Sequence, residues 1–410
     1  MATDSDGYTM GRRRAIRQMM AGTVGMAAAA GSSAGGDQSG VHLERQSTGS
    51  EVWQVTTEER SHSNIYCEVP YCSADSRYFV YHRSRRDDRQ NRSEFVVVEI
   101  GTWKQRALDA AVSMSGCAMT PDGIFYYLKR VDEDTLDLLR VDLSGGDPEA
   151  VHRFQDALWT WSLGTVSPDH RYYLRGKRLD DEWKMFGILL VDLQTGDEKI
   201  IDEDPYTFNA HPQFDPGTGR QVMIQHNRGG TFEPGGKRIR STGPQGATLF
   251  LLSVPDGRRT ELQVGTPYTT PCTGHEAWIG KTGEMLLTVS ARDDYAPEKG
   301  NLLAVRAGSP ARVVTPGYKF AHVGVSRCGR LYSCDDWQAD YNIVIGSNKT
   351  GKSAVVCASK TKPTSAQNTH AHPYLTPDLK WVIFNSSRGG FPHIHAASVP
   401  DGMVEAVLKT

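Results

Sequence analysis

A repeat of 47 residues runs through most of the chain. Its clearest mark is a Pro-Asp-Gly-type turn, and Asp75, Asp122 and Asp169 occupy this turn at intervals of 47 residues. The later turns fall near Asp215, Thr282, Cys328 and Asp378. Self-similarity of this period indicates small units that share a hydrophobic core with their neighbours.

Each unit has the pattern of four short strands. A polar turn separates the first strand from an aromatic-rich second strand, as in "MTPDGIFYYLKR". The third strand then follows, as in "GILLVDLQTG". Residues 229–247, rich in Gly, Pro and Arg, interrupt the fourth unit. Four strands repeated seven times predict an all-β fold, a seven-bladed β-propeller of four-stranded blades, over residues 60–410.

The N-terminal residues do not share this repeat. Residues 1–36 combine arginines at positions 12–14 with a weakly apolar Ala/Gly/Met run and small residues. This pattern is typical of a twin-arginine export signal, and it predicts an exported, periplasmic protein. If the segment is instead a basic tail, we expect a cytoplasmic protein. Residues 37–59 read as a linker.

Bulk charge and cysteine content exclude several classes of protein. The net charge is −2, so the chain has no overall basic field for nucleic acid, and we expect no membrane contact after signal removal. The seven cysteines include no Cys-x-x-Cys pair, which argues against a structural zinc site. Spacing leaves the pairing of Cys67 with Cys72, or of Cys328 with Cys334, open.

Histidines recur at one phase of the repeat, just before the turn, in four consecutive units. These are His211, His275, His322, His370 and His372. Because the first strand of each blade lines the central channel, this phase places them around one channel mouth. Gln367 precedes the last two in the stretch "QNTHAHP". Imidazoles and an amide without thiolates suit a catalytic divalent transition metal with open coordination positions.

Arginines follow the second strand in six of the seven units, including Arg178, Arg228 and Arg388. The guanidinium fork matches carboxylates, so a ring of arginines near a metal favours a small polyanionic substrate. Each arginine taken singly has an alternative explanation, namely that loops of this repeat type commonly contain an arginine without a functional role.

Three motifs resemble those of the oligogalacturonate lyases, which are seven-bladed propellers that cleave short pectin fragments by β-elimination. They are "HPQFDP" at His211, "GHEAW" at His275 and Gln-x-x-His-x-His from Gln367 to His372. The resemblance spans residues 60 to 410. It implies a metal-dependent lyase for small anionic oligosaccharides, with Mn²⁺ or another divalent transition metal as cofactor.

The resemblance also implies roles for single residues. It assigns the metal to His275, Gln367, His370 and His372. It assigns the base to His211, with His226 as the alternative, and the assisting arginine to Arg175, with Arg178 in reserve. We expect substrate contacts from Arg178, His226, Arg228, His322 and Arg388. The chain departs from the family at His226-Asn227-Arg228, where the family has His-Glu-Gly-Pro-Trp.

Other functions stay open at this stage. The Pro-Asp-Gly turns also occur in non-catalytic binding propellers of the Tol type, although that alternative does not explain histidines in phase. A lyase for another uronate oligomer is the second alternative. A prolyl oligopeptidase is disfavoured because the chain has no length for a hydrolase domain, and its one Gly-x-Ser-x-Gly match, residues 31–35, falls within the predicted export signal.

Overall fold

The computed structural model describes residues 40–84, 93–110, 114–132, 134–155, 162–338 and 340–410. The predicted export signal, residues 1–36, lies outside them. The first fourteen strands are β1 (Val41–Arg45), β2 (Glu51–Gln54), β3 (His62–Asn64), β4 (Tyr78–Ser84), β5 (Ser93–Glu99), β6 (Gln105–Ala110), β7 (Ala118–Met119), β8 (Ile124–Arg130), β9 (Leu136–Asp142), β10 (Glu149–Phe154), β11 (Gly164–Val166), β12 (Tyr172–Arg178), β13 (Phe186–Asp192) and β14 (Glu198–Asp204).

The later strands are β15 (Gln213–Phe214), β16 (Gln221–His226), β17 (Thr231–Phe232), β18 (Arg238–Arg240), β19 (Thr248–Ser253), β20 (Arg259–Glu261), β21 (Cys272–Trp278), β22 (Met285–Val289), β23 (Leu302–Val305), β24 (Arg312–Thr315), β25 (Phe320–Val325), β26 (Leu331–Asp336), β27 (Asn342–Ser347), β28 (Ser353–Ala358), β29 (Tyr374–Leu375), β30 (Trp381–Ser386) and β31 (His393–Ser398). The helical elements are two 3₁₀ turns, Asp293–Tyr295 and Gln367–Thr369, and α1 (Met403–Leu408).

Over the described residues these strands form seven antiparallel sheets that are the blades of a propeller. Blades 1 to 3 are β3–β6, β7–β10 and β11–β14, and blades 5 and 6 are β21–β24 and β25–β28. Blade 4 consists of β15, β16, β19 and β20, with β17 and β18 as a separate hairpin within residues 229–247. The predicted fold class and blade count are confirmed.

The ring closes through strands from opposite ends of the chain. Blade 7 takes β29, β30 and β31 from the C-terminal end and then β2 and β1 from the N-terminal end. In this sheet Val52 lies opposite Ala397 and Gln54 opposite His395. Residues 41–45 and 51–54 are therefore blade strands, and the expected linker over 37–59 is wrong there. The free edge of β31 needs a partner, and β2 supplies it.

The hydrophobic core lies between neighbouring blades. One cluster, for example, joins Leu174 and Ile188 of blade 3 to Val222 and Ile224 of blade 4. Each sheet thus buries both faces against its neighbours, which explains why the second and third strands are almost continuously apolar. All seven cysteines are free thiols. No helix in the described ranges is long and apolar enough to cross a membrane.

Candidate active site and metal centre

The histidines lie at one mouth of the central channel. A cavity of about 910 Å³ opens there, and His211, His275, Gln367 and His372 are among its lining residues. A cavity of about 480 Å³ at the other mouth is lined by turn residues such as Pro121. The first strands therefore run from the histidine mouth to the turn mouth, as the sequence predicts.

Two β-bulges direct histidines into the histidine mouth. The pairing of β21 with β22 shifts register between Cys272 and Glu276, and Gly274 within this bulge has φ +87°. The pairing of β25 with β26 shifts between Phe320 and Val323. Each bulge contains one histidine, His275 and His322, and their ring centroids lie 4.2 Å apart. Bulges commonly re-aim side chains at sites of this kind.

The segment from Gln367 to His372 is held by buried side-chain amides. The amide of Asn64 donates to the carbonyl of His372 at 2.6 Å, and the amide of Asn385 donates to the carbonyl of His370 at 3.1 Å. His372 has φ +44°, which is uncommon for a residue other than glycine. These contacts hold the strained backbone in place, so the His372 ring stays 4.1 Å from that of His322.

Asp335 determines which nitrogen of His322 faces the centre. Its carboxylate lies 2.7 Å from Nδ1 of His322 and accepts the main-chain N–H of the same residue at 2.7 Å. The indole N–H of Trp337 donates to it at 3.0 Å. Burial raises the pKa of Asp335, while these donors oppose that rise. Because His322 donates its Nδ1 proton, its Nε2 carries a lone pair.

His370 presents a second lone pair to the same point. Its Nε2 lies 2.7 Å from the carbonyl oxygen of Thr364, which can only accept, so Nε2 carries the proton. In the neutral ring Nδ1 of His370 is then unprotonated, and it lies 3.3 Å from Nε2 of His322. Two lone pairs at this distance repel each other unless a cation lies between them. The donor pattern therefore fits a metal ion.

Three histidines form the tightest group at this point. The ligand atoms of His275, His322 and His372 all lie within 4.8 Å of one another. Burial lowers the pKa of each ring well below its ordinary value, so the imidazoles stay neutral at neutral pH. Nε2 of His372 is buried without a hydrogen-bond partner among the described residues. Neutral imidazole is the form that binds transition metals.

Sequence relatives share one activity in their names. The chain is 25% identical to an oligogalacturonide lyase of Pectobacterium atrosepticum, over 69% of this chain and 76% of that protein. It is 23% identical to an oligogalacturonate lyase of Dickeya dadantii, over 71% of this chain and 78% of that protein. No family model matches the chain.

Solved structures show the same fold. An oligogalacturonate lyase from Vibrio parahaemolyticus superposes with a TM-score of 0.64 at 16% identity, covering 89% of this chain and 97% of that one. An oligogalacturonate lyase in complex with manganese gives a TM-score of 0.63 at 18% identity, covering 90% and 99%. In sequence and in fold the chain is similar to oligogalacturonate lyases.

His211 lies in the same cavity as the metal candidates but outside their group. Its Nε2 is 3.0 Å from the side-chain amide of Asn209, which orients the ring. Burial lowers its pKa to about 4, so the ring is neutral at neutral pH. Like His372, it precedes a proline and has φ +44°. Among the described residues no candidate metal ligand contacts this ring by a hydrogen bond, and the role of His211 as base stays a prediction.

Tyr66 is a site residue that the sequence reasoning missed. Its ring lies 4.8 Å from that of His372, 5.3 Å from that of His211 and 6.2 Å from that of His275. It lines the cavity and thus connects the metal candidates to the candidate base. The sequence signal was weak, because Tyr66 stands nine residues before the turn at Asp75, further than any of the histidines stands from its own turn. Asp335 was missed as well, since only contact reveals its role.

Most of the residues that were predicted to contact substrate instead bind other parts of the protein. The imidazole of His226 is 2.9 Å from Asp204, and Arg228 donates to the carbonyls of Gln245, Gly246 and Thr266. Arg388 pairs with Glu44 at 2.8 Å and braces blade 7. None of these three lines the histidine cavity, and His322 belongs to the metal candidates. The structure thus places His226, Arg228 and Arg388 outside the cavity lining, and contact with substrate stays a prediction.

The two candidate assisting arginines are also absent from the residues that line the cavity. The guanidinium of Arg175 lies 4.6 Å from the ring centroid of Phe154 in blade 2. That of Arg178 lies 4.6 Å from the ring of Trp183 and 3.4 Å from Asp181. Being three residues apart on β12, the two side chains lie on opposite faces of the blade, and the assisting role stays a prediction.

Proposed function

We propose that the protein cleaves short oligogalacturonides by β-elimination and leaves a 4,5-unsaturated uronate on one product. The observation that carries this proposal is the convergence of unprotonated imidazole nitrogens at one channel mouth, with a further neutral histidine in the same cavity. The names of the sequence relatives support the choice of substrate.

The metal centre would be held by His275, His322, His370 and His372, with Gln367 as an oxygen donor at the cavity rim. A divalent transition metal such as Mn²⁺ bound there supplies positive charge to the substrate carboxylate, which makes the C5 proton more acidic. Asp335 keeps His322 in the tautomer that presents Nε2. The set contains neither thiolate nor a ring of carboxylates, which disfavours a structural zinc site and a Ca²⁺ site.

His211 would act as the base. A neutral imidazole accepts the C5 proton, the electron pair of that bond forms the C4–C5 double bond, and the bond from C4 to the glycosidic oxygen breaks. The pKa of about 4 means that His211 is fully available in the neutral form at pH 7. Tyr66, between His211 and the metal candidates, would form the wall against which the sugar ring packs.

Product analysis tests this proposal. Elimination creates a double bond conjugated to the carboxylate, which absorbs in the near ultraviolet, whereas hydrolysis does not. We expect the Mn²⁺-loaded protein to raise this absorbance with digalacturonate or trigalacturonate. New reducing ends without absorbance would identify a hydrolase. Inertness toward pectic, alginate, ulvan and glycosaminoglycan oligomers would instead favour a binding propeller.

A further inference from the structure

The interruption of blade 4 forms one wall of the histidine cavity. Residues 229–247 lie between β16 and β19, and they contain the hairpin of β17 and β18. The lining residues from this segment are Gly236, Lys237, Arg238, Ser241 and Thr242. They share the cavity with His211, His275 and Gln367. The hairpin is therefore part of the site and not an outlying loop.

Aromatic packing fixes the hairpin against blade 3. The ring of Phe232 lies 4.7 Å from that of Phe208, 5.5 Å from that of Phe186 and 5.7 Å from that of Trp183. Gly236 has φ +88°, and a Cβ there would lie 2.3 Å from Trp183. Glycine is thus required where the hairpin tip meets the indole.

The base of the segment is fixed as well. Arg228 donates to the carbonyls of Gln245, Gly246 and Thr266 at 2.8–3.0 Å. Arg240 donates to the carbonyl of Gly229 at 3.0 Å, which ties the second strand of the hairpin to its start. The backbone of the wall is therefore held at both ends beside the cavity.

Two of these side chains are cations without a counter-ion. Lys237 and Arg238 are exposed, and within the described ranges neither has an ion pair or a side-chain hydrogen bond. Other arginines near this end are paired, for example Arg83 with Glu58 and Glu94. Unpaired cations that line a cavity favour an anionic ligand, and each uronate unit carries one carboxylate.

We propose that Lys237 and Arg238 form a carboxylate subsite that binds a uronate unit of the substrate other than the unit held at the metal centre. This inference rests on the proposed function and specifies how the site selects a polyanionic oligomer. The guanidinium of Arg238 offers a two-pronged contact, and the ammonium of Lys237 adds a point charge. The subsite acts on binding and leaves the chemistry to the histidines.

Steady-state kinetics on the metal-loaded protein tests the subsite. We expect Arg238→Ala and Lys237→Ala to raise KM for trigalacturonate about tenfold each, the cost of one charge-assisted contact, with kcat nearly unchanged. Their KM should also depend less on salt, since one screened attraction is lost. Arg238→Lys should recover part of the loss. The matched control is Arg258→Ala, an exposed arginine in the same blade, in the turn after β19.

The outcomes separate the subsite from the reaction. Turnover with KM equal in wild type, Arg238→Ala and Lys237→Ala would overturn the subsite and leave the lyase intact. Absence of turnover by wild type would overturn the proposed function, and calorimetric binding of trigalacturonate then decides the subsite. Affinity about tenfold weaker in Arg238→Ala supports it, whereas equal affinity, or no binding by wild type, overturns it. Both residues are exposed, so unchanged Tm values verify folding.

Discussion

Asp335 sets the tautomer of a candidate metal ligand, His322. Its carboxylate holds Nδ1–H of His322, and thereby aims the Nε2 lone pair at the other imidazoles. A carboxylate in this position also increases the basicity of the ligand. We expect Asp335→Asn to lower Mn²⁺ affinity about 10- to 100-fold, as other losses of such partners do. Equilibrium dialysis with elemental analysis measures this.

The neighbouring residue supplies the control. Asp336 accepts the main-chain N–H of Lys319 at 2.9 Å and does not touch the histidines through a hydrogen bond. Asp336→Asn keeps that acceptor oxygen, so its Mn²⁺ affinity should match that of wild type. Equal losses in both variants would mean that charge near the channel, and not the tautomer of His322, governs metal binding.

Replacing His211 and His226 in turn by the same residue distinguishes which of the two histidines is the base. The structure places His211 in the cavity and His226 against Asp204. We expect His211→Asn to lower kcat by about 10²–10⁴, the range for loss of a general base, with metal content unchanged. His226→Asn should keep kcat within a few-fold. Rate measurements paired with metal analysis check this, and the reverse pattern would assign the base to His226.

At the scale of elements, the N-terminal strands close the ring. Val52 of β2 is fully buried between blades, whereas Val41 of β1 is 49% exposed. Val52→Asp places an unpaired carboxylate in the core, which we expect to cost about 3 kcal/mol or more in the free energy of unfolding. Val41→Asp, the matched control, should change it by less than about 0.5 kcal/mol. Urea denaturation measures both.

This closure could not be read from the sequence. The repeat predicted seven units because each contains its own turn, but the stretch over 51–54 has no turn partner and resembles no other unit. Residues 51–54 can be recognised as a blade strand only in the folded chain, where β31 has an edge open for pairing. By contrast, the histidine phase was predictable, because position along a blade's first strand fixes distance from the channel mouth. The direction of a side chain could not be predicted in this way. The sequence therefore suggested Arg175 and Arg228 as site residues, whereas neither lines the cavity in the structure.

At the scale of the whole molecule, the channel carries a buried carboxyl below the site. Glu68 is 7% exposed, and burial raises its pKa to about 8. The unfolded chain releases this proton near its ordinary pKa of about 4.5, while the folded protein keeps it to about 8. At this group the folded state therefore binds more protons between these values, so the contribution of Glu68 to stability should fall as pH rises from about 5 to about 8.

Glu68→Gln removes this titration and keeps the shape of the side chain. We expect the change in unfolding free energy from pH 5 to pH 8 to be more positive in the variant than in wild type, because the destabilising contribution of Glu68 is absent. The control is Glu261→Gln, because Glu261 is exposed on β20 and its replacement should leave the wild-type slope in place. Urea denaturation at the two pH values measures the difference. Equal slopes for wild type and Glu68→Gln would show that Glu68 is ionised in the fold.

The central claim is that the converging imidazoles at the histidine mouth bind a metal that turnover requires. A metal titration tests this claim most directly. Metal-free protein is titrated with Mn²⁺ in the presence of trigalacturonate, and the near-ultraviolet absorbance of the product is followed. We expect no turnover without metal, a rate of absorbance increase that saturates at one Mn²⁺ per chain, and no absorbance increase for His372→Ala. Full turnover by metal-free wild type, or an equal rise for His372→Ala, would contradict it.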